Sequence, residues 1–166
     1  MTNTALTPVV LTPEALLNYW LGHRRLTRKT IEAFPEDKLF AYSLGGMRPY
    51  GEMVMEFLSM AVPIARGVAT GTWGSVDELQ ASRETIQRDK KALLERWDQD
   101  TIELNAIVPS IPLARFSVVE KAFGMWEGAG IQTIQYAIDN EIHHRGQAYV
   151  YFRSLGIEPP MFWDRA

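Results

Sequence analysis

Two adjacent histidines, His143 and His144, lie near the end of the chain in the stretch DNEIHHRGQAYVYFR at residues 139–153. Imidazole binds metals and exchanges protons near neutral pH, so paired histidines beside acidic residues suggest a metal site. A zinc or nickel site normally needs three or four ligands. Because the chain contains three histidines and no cysteine, such a site must draw its remaining ligands from oxygen-bearing side chains, or it has been lost.

Helical spacing distributes the polar side chains of this stretch over different faces. At about 100° per residue, one stripe of the helix is polar and consists of Asn140, His144, Gln147 and Tyr151. Glu141 points toward the expected interior, where an unpaired carboxylate is costly, so it requires an arginine, a histidine or a metal as its partner. His143 lies off these stripes, nearer the solvent.

Two interpretations of the interior groups stay open at the level of spacing. His144 and Glu141 form either a hydrogen-bonded pair in the core or part of a metal site. Arg145 is a candidate partner for a carboxylate such as Glu141 or Glu52. His23 falls on the apolar stripe of the first predicted helix, where it is either a hydrogen-bonded core residue or a substitute for a lost metal ligand.

The elements that carry these residues are predicted from hydrophobic spacing and from helix-terminal signals. Thr12 followed by Pro13 marks a helix start, and Ser75 with Glu78 forms a capping-box pattern. Gly156, with two prolines shortly beyond it, marks the end of the last helix. Together these signals predict four long helices at about residues 13–34, 50–66, 76–97 and 131–155.

Residues 98–130 are predicted to form a long crossover. Alternation in TIELNAIV and ARFSVV favours short extended segments, which Pro109 and Pro112 separate. The glycine-rich, aromatic stretch FGMWEGAG is expected to cover one end of the bundle and to shape a pocket mouth. The sequence therefore predicts one all-α domain over residues 1–166, a four-helix bundle of the up-down-down-up type with one elaborate crossover.

Composition and charge disfavour several classes of protein. Hydrophobic residues make up 46% of the chain and charged residues 22%, as in ordinary globular domains. The formal net charge is -3 and no basic block is present, which disfavours a nucleic-acid partner. No lysine or arginine precedes an apolar run at the N-terminus, and no apolar stretch reaches the roughly 18 residues that span a bilayer. Since cysteine is absent, we expect a cytoplasmic protein without a membrane partner.

Several stretches resemble the DinB/YfiT-like family of four-helix metalloenzymes. HHRGQAYVYFRSLGIEPP is similar to the C-terminal signature of that family, and DNEIHHRGQ is its most specific part. NYWLGHRRL resembles the first helix of the family, and FPEDKLFAYSLGGMRPYGEMVMEFL resembles its first connection and second helix. The likeness extends over most of the chain and implies the same four-helix fold.

The resemblance also implies a divalent metal held by three histidines, one on the second helix and two spaced four residues apart on the last. His144 matches the later histidine of the last helix, whereas Asn140 and Glu56 stand where the family has its other two histidines. We therefore expect Glu56, Asn140 and His144 to converge at a weak candidate site for zinc, nickel or manganese. Glu141 and His23 are further candidate ligands. A carboxylate can ligate such a metal, but an asparagine amide oxygen is a poor ligand for zinc or nickel.

Three outcomes follow for this site: an oxygen-rich metal centre, a polar pocket that binds a small molecule, or a buried hydrogen-bond cluster. The resemblance implies a metal-dependent enzyme acting on a small molecule, of the thiol-dependent transferase type. Its thiol would be a cosubstrate, because the chain has no cysteine. The alternative is a non-catalytic, stress-related bundle that acts by ligand binding or dimerisation. The resemblance and the apolar stripes further imply a homodimer built through helix faces.

Overall fold

The computed structural model describes residues 11–166. The prediction that the N-terminus is no signal peptide concerns residues that lie mostly outside this range. Within it, the helices and strands in chain order are α1 (Pro13–Ala33), α2 (Tyr50–Thr70), α3 (Val76–Glu84), α4 (Lys90–Ile107), β1 (Val119–Ala122), β2 (Trp126–Ala129) and α5 (Gly130–Ser154).

Helices α1, α2, α4 and α5 pack together as the all-α bundle that the sequence predicts, and α3 packs on α2. Thr12 caps α1, because its Oγ1 accepts a hydrogen bond from the Ala15 N–H at 3.1 Å. The end predicted for α2 near residue 66 is wrong: the helix continues past Pro63, since its apolar face stays buried, and ends where Gly71 adopts a φ of 74°. Gly156, with a φ of 73°, follows α5 as predicted.

The prediction of one helix over residues 76–97 is wrong. This stretch contains α3 and the beginning of α4, separated by a turn at residues 85–89. Asp89 starts α4, because its side chain accepts a hydrogen bond from the Ala92 N–H at 3.0 Å. Thr85 Oγ1 donates to the Ser82 carbonyl oxygen at 2.7 Å and so closes α3. Neither proline nor glycine marks the break, and apolar residues continue at helical spacing across it. The sequence therefore predicts one helix where there are two.

The crossover also differs from its prediction. TIELNAIV is helical and completes α4, because Trp97 and Leu104 are buried at helical rather than strand spacing. In place of the strand expected in ARFSVV, a 3-10 helix spans Leu113–Ser117. The extended structure within residues 98–130 is an antiparallel hairpin of β1 and β2. The short extended segments before the last helix therefore exist, but later in the chain than expected.

The hairpin is fixed to the end of α2 by polar and packing contacts. Arg115 Nε donates to the Val68 carbonyl oxygen at 2.8 Å, and its Nη2 pairs with Glu120 at 2.7 Å. Trp73 donates from its indole to Glu120 at 3.0 Å, and its ring packs on Gly67, where any Cβ atom would collide with it. These contacts hold the hairpin over one end of α2 and α5.

Helix α2 is the central element of the core. It contributes to both apolar clusters of the bundle, one at each end of the molecule. By length and composition it is apolar enough to cross a membrane, but 67% of its most apolar 18-residue stretch is buried inside the protein. Its hydrophobicity is therefore that of a core helix, and its half-buried edge faces α5.

Candidate functional site

Side chains of α2 and α5 meet in a half-buried polar cluster, here called the Glu56 cluster, which consists of Glu56, Asn140, His144 and Arg48. Asn140 Nδ2 donates to Glu56 Oε1 at 3.0 Å, and His144 Nε2 lies 3.4 Å from the same oxygen. His143 lies outside the cluster and is exposed. The structure thus brings together the three residues that match the metal ligands of the family.

Arg48 joins the cluster from the loop between α1 and α2. Its Nη1 lies 2.5 Å from Glu56 Oε2, and its Nη2 lies 3.3 Å from His144 Nε2. Tyr151 of α5 donates from its hydroxyl to the Arg48 carbonyl oxygen at 2.7 Å and so holds the backbone of the loop. The guanidinium is therefore placed between the carboxylate and the imidazole.

The hydrogen-bond partners of His144 define its tautomer. Its Nδ1 lies 2.6 Å from Gln147 Oε1, which is an acceptor, so Nδ1 carries the proton. In the neutral ring Nε2 then presents a lone pair to Arg48 Nη2, whereas in the protonated ring Nε2–H faces Glu56 Oε1 at 3.4 Å. A guanidinium N–H therefore occupies the nitrogen that would bind a metal.

The carboxylate of Glu56 is ionised in this setting. Burial by itself would raise the pKa of Glu56, but hydrogen bonds from His144, Arg48 and Asn140 outweigh it and lower the pKa to about 2. The charge of Arg48 acts in the same direction. Glu56 is therefore a stable anion that binds its neighbours as an acceptor.

Two further arginines surround the Glu56 cluster. Arg83 Nη2 lies 3.2 Å from Glu52 Oε2, and its Nη1 lies 4.0 Å from Glu56 Oε2. Arg88 also pairs with Glu52. Glu52 is thus bound by these two arginines rather than by Arg145. Arg48, Arg83 and Arg88 therefore form one network of ion pairs with Glu52 and Glu56.

Glu141 and His23 lie in a different and fully buried cluster between α1 and α5. Glu141 accepts hydrogen bonds from Thr27 at 2.6 Å and from Trp20 at 3.3 Å, and Arg145 Nη1 lies 3.6 Å away. His23 Nδ1 accepts a hydrogen bond from Arg145 Nη2 at 2.9 Å. The two further candidate ligands therefore lie between α1 and α5 and do not join the Glu56 cluster.

Burial sets the protonation of this second cluster. It raises the pKa of Glu141, against the charge of Arg24 and the hydrogen bond from Thr27. It also lowers the pKa of His23 to about 4, with the positive charges of Arg145 and Arg165 acting in the same direction. His23 is therefore neutral near pH 7 and accepts a hydrogen bond, as a structural core histidine does.

The donors of the Glu56 cluster do not fit the three-histidine metal site that the resemblance implies. Across residues 11–166, no group of three or more histidine, aspartate or glutamate side chains is placed to hold a metal ion. Asn140 turns its amide N–H toward Glu56, so its oxygen is not the atom that faces the carboxylate. Glu56 and His144 leave one carboxylate and one imidazole, fewer protein ligands than the three of a catalytic zinc site.

A cavity of about 510 Å³ opens beside the Glu56 cluster. Its wall is mainly apolar and includes Met60, Ile64, Phe123, Trp126, Thr133 and Tyr136. The volume lies within the range of about 300–1,000 Å³ that is typical of small-molecule sites. The stretch FGMWEGAG supplies part of this wall, in agreement with its predicted place at a pocket mouth.

The cluster and the cavity lie next to each other along α2 and α5, and the two together are here called the α2–α5 groove. On α2, a stripe at four-residue spacing consists of Glu56, Met60 and Ile64. On α5, the matching stripe consists of Tyr136, Asn140 and His144. Side chains four apart share one helix face, and Met60 Sδ lies 3.8 Å from Asn140 Nδ2. The polar and apolar parts of the groove therefore meet at Met60.

Sequence patterns single out neither Arg48 nor Met60 as part of a site. Arg48 belongs to a loop, GGMRPY, whose course depends on Gly45 and Gly46 at positive φ. The sequence offers one hint of this contact: Arg48 stands immediately before Pro49, the residue that precedes α2, and eight residues ahead of Glu56. That position puts a cation near the start of the helix, but it does not specify the partner.

Comparisons with known proteins agree with the fold. The family model described as the DinB family matches residues 1–165. YjoA, an uncharacterized protein of Bacillus subtilis (strain 168), is 23% identical over 151 residues, which are 90% of this chain and 96% of the relative. The crystal structure of this DinB-like protein has a TM-score of 0.70 and covers 91% of this chain and 99% of its own. A DinB-like protein from Bacillus cereus ATCC 10987 has a TM-score of 0.65 at 16% identity, with 92% and 99% covered.

Proposed function

Because the chain belongs to the DinB family, we propose that it uses the helix pair of that fold to bind a small amphipathic molecule in the α2–α5 groove. The apolar part of the ligand occupies the 510 Å³ cavity. The polar part extends past Met60 to the Glu56 cluster. Of the two functions that the sequence suggests, a metal-dependent enzyme and a non-catalytic bundle, this is the second, acting by ligand binding. It requires no bound metal.

The contact between Met60 of the cavity wall and Asn140 of the cluster is the observation that carries this proposal. An apolar cavity with a few convergent polar groups at one end is the usual form of a small-molecule site. Met60 contributes to the cavity wall and contacts Asn140, so a ligand of ordinary size reaches both regions. Exposed aromatic rings, Trp126 and Tyr136, border the opening and offer flat apolar surfaces to it.

The charge at the polar end favours an acceptor or an anion on the ligand. The Arg48 side chain is 42% exposed, whereas that of Glu56 is 20% exposed. A guanidinium has five N–H donors, and the two contacts to Glu56 and His144 leave others free. A carboxylate or phosphate group matches this donor geometry.

The convergence of Glu56 and His144 is the one feature that favours the second hypothesis, a metal-dependent enzyme of the thiol-dependent transferase type. The remaining donors argue against it, because Asn140 presents an N–H and Arg48 engages both other groups. We therefore assign binding rather than metal-assisted catalysis to the groove.

Two fluorescent probes test the proposal. 8-Anilinonaphthalene-1-sulfonate carries an apolar body and an anionic head, and N-phenyl-1-naphthylamine has a similar body without the charge. Thr133→Trp fills the cavity from α5 and should weaken binding of both probes. Ile102→Trp adds the same side chain on an exposed face of α4, where Ile102 is 64% exposed, and should leave both affinities unchanged.

The polar end has its own comparison. Arg48→Gln should weaken binding of the sulfonate probe by about threefold to tenfold, roughly 0.7–1.4 kcal/mol, and spare the uncharged probe. Equal binding of the probes to wild type and Thr133→Trp would exclude the cavity as the site. Equal loss of both probes in Arg48→Gln would show that Arg48 acts through folding rather than through contact with the head group.

A further inference from the structure

We propose that the guanidinium of Arg48 is a tethered replacement for a divalent metal, and that it keeps the Glu56 cluster assembled and excludes metal ions from it. Two contacts of the Arg48 guanidinium carry this proposal. Arg48 contacts both groups that would ligate the metal, Glu56 at 2.5 Å and His144 Nε2 at 3.3 Å.

The lone pairs that face Arg48 are those that a metal would take. A cation bound between a carboxylate and a neutral imidazole uses one oxygen lone pair and the Nε2 lone pair. Arg48 faces both with N–H donors, and in the neutral ring the Nδ1–H bond to Gln147 leaves the Nε2 lone pair for Arg48. The positive charge that the carboxylate requires is then supplied by the chain itself.

Asn140 fits a site of this kind better than a metal site. A histidine at this position would present a ring nitrogen lone pair to the centre, next to the carboxylate of Glu56. The amide instead donates to Glu56 Oε1 at 3.0 Å, so the carboxylate is satisfied by N–H groups on both oxygens. The departures from the family pattern at Glu56 and Asn140 thus form one consistent arrangement around Arg48.

The backbone places Arg48 in advance. Its carbonyl oxygen is held by Tyr151, and the start of α2 is held by a hydrogen bond of 2.7 Å from the Gly51 N–H to the Leu39 carbonyl oxygen. A metal ion entering the cluster has to break the Arg48–Glu56 ion pair and then sit near a displaced guanidinium. Like charges at such short range repel, so metal affinity is reduced.

Metal titration of the full chain tests the proposal. Zinc and nickel are titrated by calorimetry into the wild type, Arg48→Met, Arg48→Lys and Arg66→Met, each first treated with a chelator. Arg66→Met is the matched control, because it removes the same charge from an exposed ion pair between Arg66 of α2 and Glu103 of α4. Circular dichroism verifies that each variant is folded.

Arg48→Met should bind zinc at least about tenfold more tightly than the wild type and the Arg66→Met control. Its melting temperature should be lower than that of the wild type in chelator and should rise on addition of zinc, since one cation then replaces the other. Arg48→Lys retains the charge and should bind zinc no better than the wild type.

Three results would overturn the proposal. One is stoichiometric zinc or nickel in wild-type protein purified without a histidine tag, a measurement that does not depend on any variant folding. Another is a folded Arg48→Met protein with wild-type metal affinity. The third is a gain in Arg48→Lys equal to that in Arg48→Met, which would mean that the charge of Arg48 does not exclude the metal.

Discussion

Thr27 of α1 and Glu141 of α5 are joined by a buried hydrogen bond of 2.6 Å, which ties the first helix of the bundle to the last. The same carboxylate lies 3.6 Å from Arg145, which donates hydrogen bonds to Thr27 and to His23. The acid, the arginine and the histidine therefore form one structural unit. Its loss should reduce stability without changing ligand binding in the α2–α5 groove.

Replacing Glu141 by alanine should lower the free energy of unfolding by about 3–5 kcal/mol, because it leaves Arg145 buried without its carboxylate. Thr27→Val removes two hydrogen bonds, the one to Glu141 and the one from Arg145, and should cost about 1–3 kcal/mol. Urea denaturation measures both. His143→Ala, at an exposed position of the same helix, is the control and should change stability by less than about 0.5 kcal/mol. A similarly small effect of Glu141→Ala would contradict the assignment of a buried pair.

Stability should fall as the pH drops through the titration range of His23. The unfolded chain binds this proton at a pKa of 6.5, whereas the folded chain binds it only near 4. Its contribution is therefore complete above pH 6.5 and is lost as the pH falls from 6.5 to 4, by up to about 3 kcal/mol. Denaturation of wild type and His23→Gln at several pH values isolates this contribution from the carboxylates. Parallel curves for the two proteins would rule it out.

The double change Glu56→His and Asn140→His should strengthen zinc and nickel binding, because both substitutions supply ring nitrogens. The gain should be larger when Arg48→Met is added, since the competing guanidinium is then absent. Calorimetry compares the double and triple variants with the wild type. If the triple variant binds no better than the wild type, Glu56 does not correspond to the second-helix ligand.

Arg115 should control access to the cavity through the hairpin. Arg115→Ala removes the contacts to Val68 and Glu120 that fix β1 to α2. We expect faster hydrogen exchange in residues 119–129 and weaker binding of the uncharged probe, because the wall that contains Phe123 and Trp126 is then less ordered. Unchanged exchange in the hairpin would show that packing of Trp73 alone is sufficient.

We expect the chain to form a homodimer through helix faces. Light scattering at micromolar concentration should give twice the monomer mass of 18.9 kDa. Helix α5 also carries the exposed apolar side chain of Val150, so Val150→Lys should shift the equilibrium toward monomer if this part of the helix is used. A monomeric mass for the wild type would contradict the prediction.

Local sequence signals predicted the parts of the fold that local physics determines. Thr12 with Pro13 and Gly156 specify helix ends through their own hydrogen bonds and φ angles. The predicted ends of α1 and α5 therefore lie within one or two residues of the observed ends. The break between α3 and α4 is not predicted from the sequence, because Asp89 is a cap only once the turn before it has formed. The apolar spacing on both sides gave no reason to place a turn there.

The site was predictable to the same extent. Asn140 and His144 share a face because they are one turn apart, and the resemblance to the family placed Glu56 opposite them. Glu141 and His23 were assigned to the same neighbourhood, but one residue along a helix is a rotation of about 100°, enough to turn Glu141 toward α1. The partner of Glu56 was missed because Arg48 reaches it through a loop, and loop geometry is not encoded in periodicity.

The hydrogen bond from Tyr151 to the Arg48 carbonyl also determines when the Glu56 cluster acquires its positive charge. A cation that is covalently part of the chain, and whose backbone is held in place by Tyr151, is present as soon as the protein folds. The positive charge that faces Glu56 therefore depends on folding alone and not on the concentration of any ion in the surroundings.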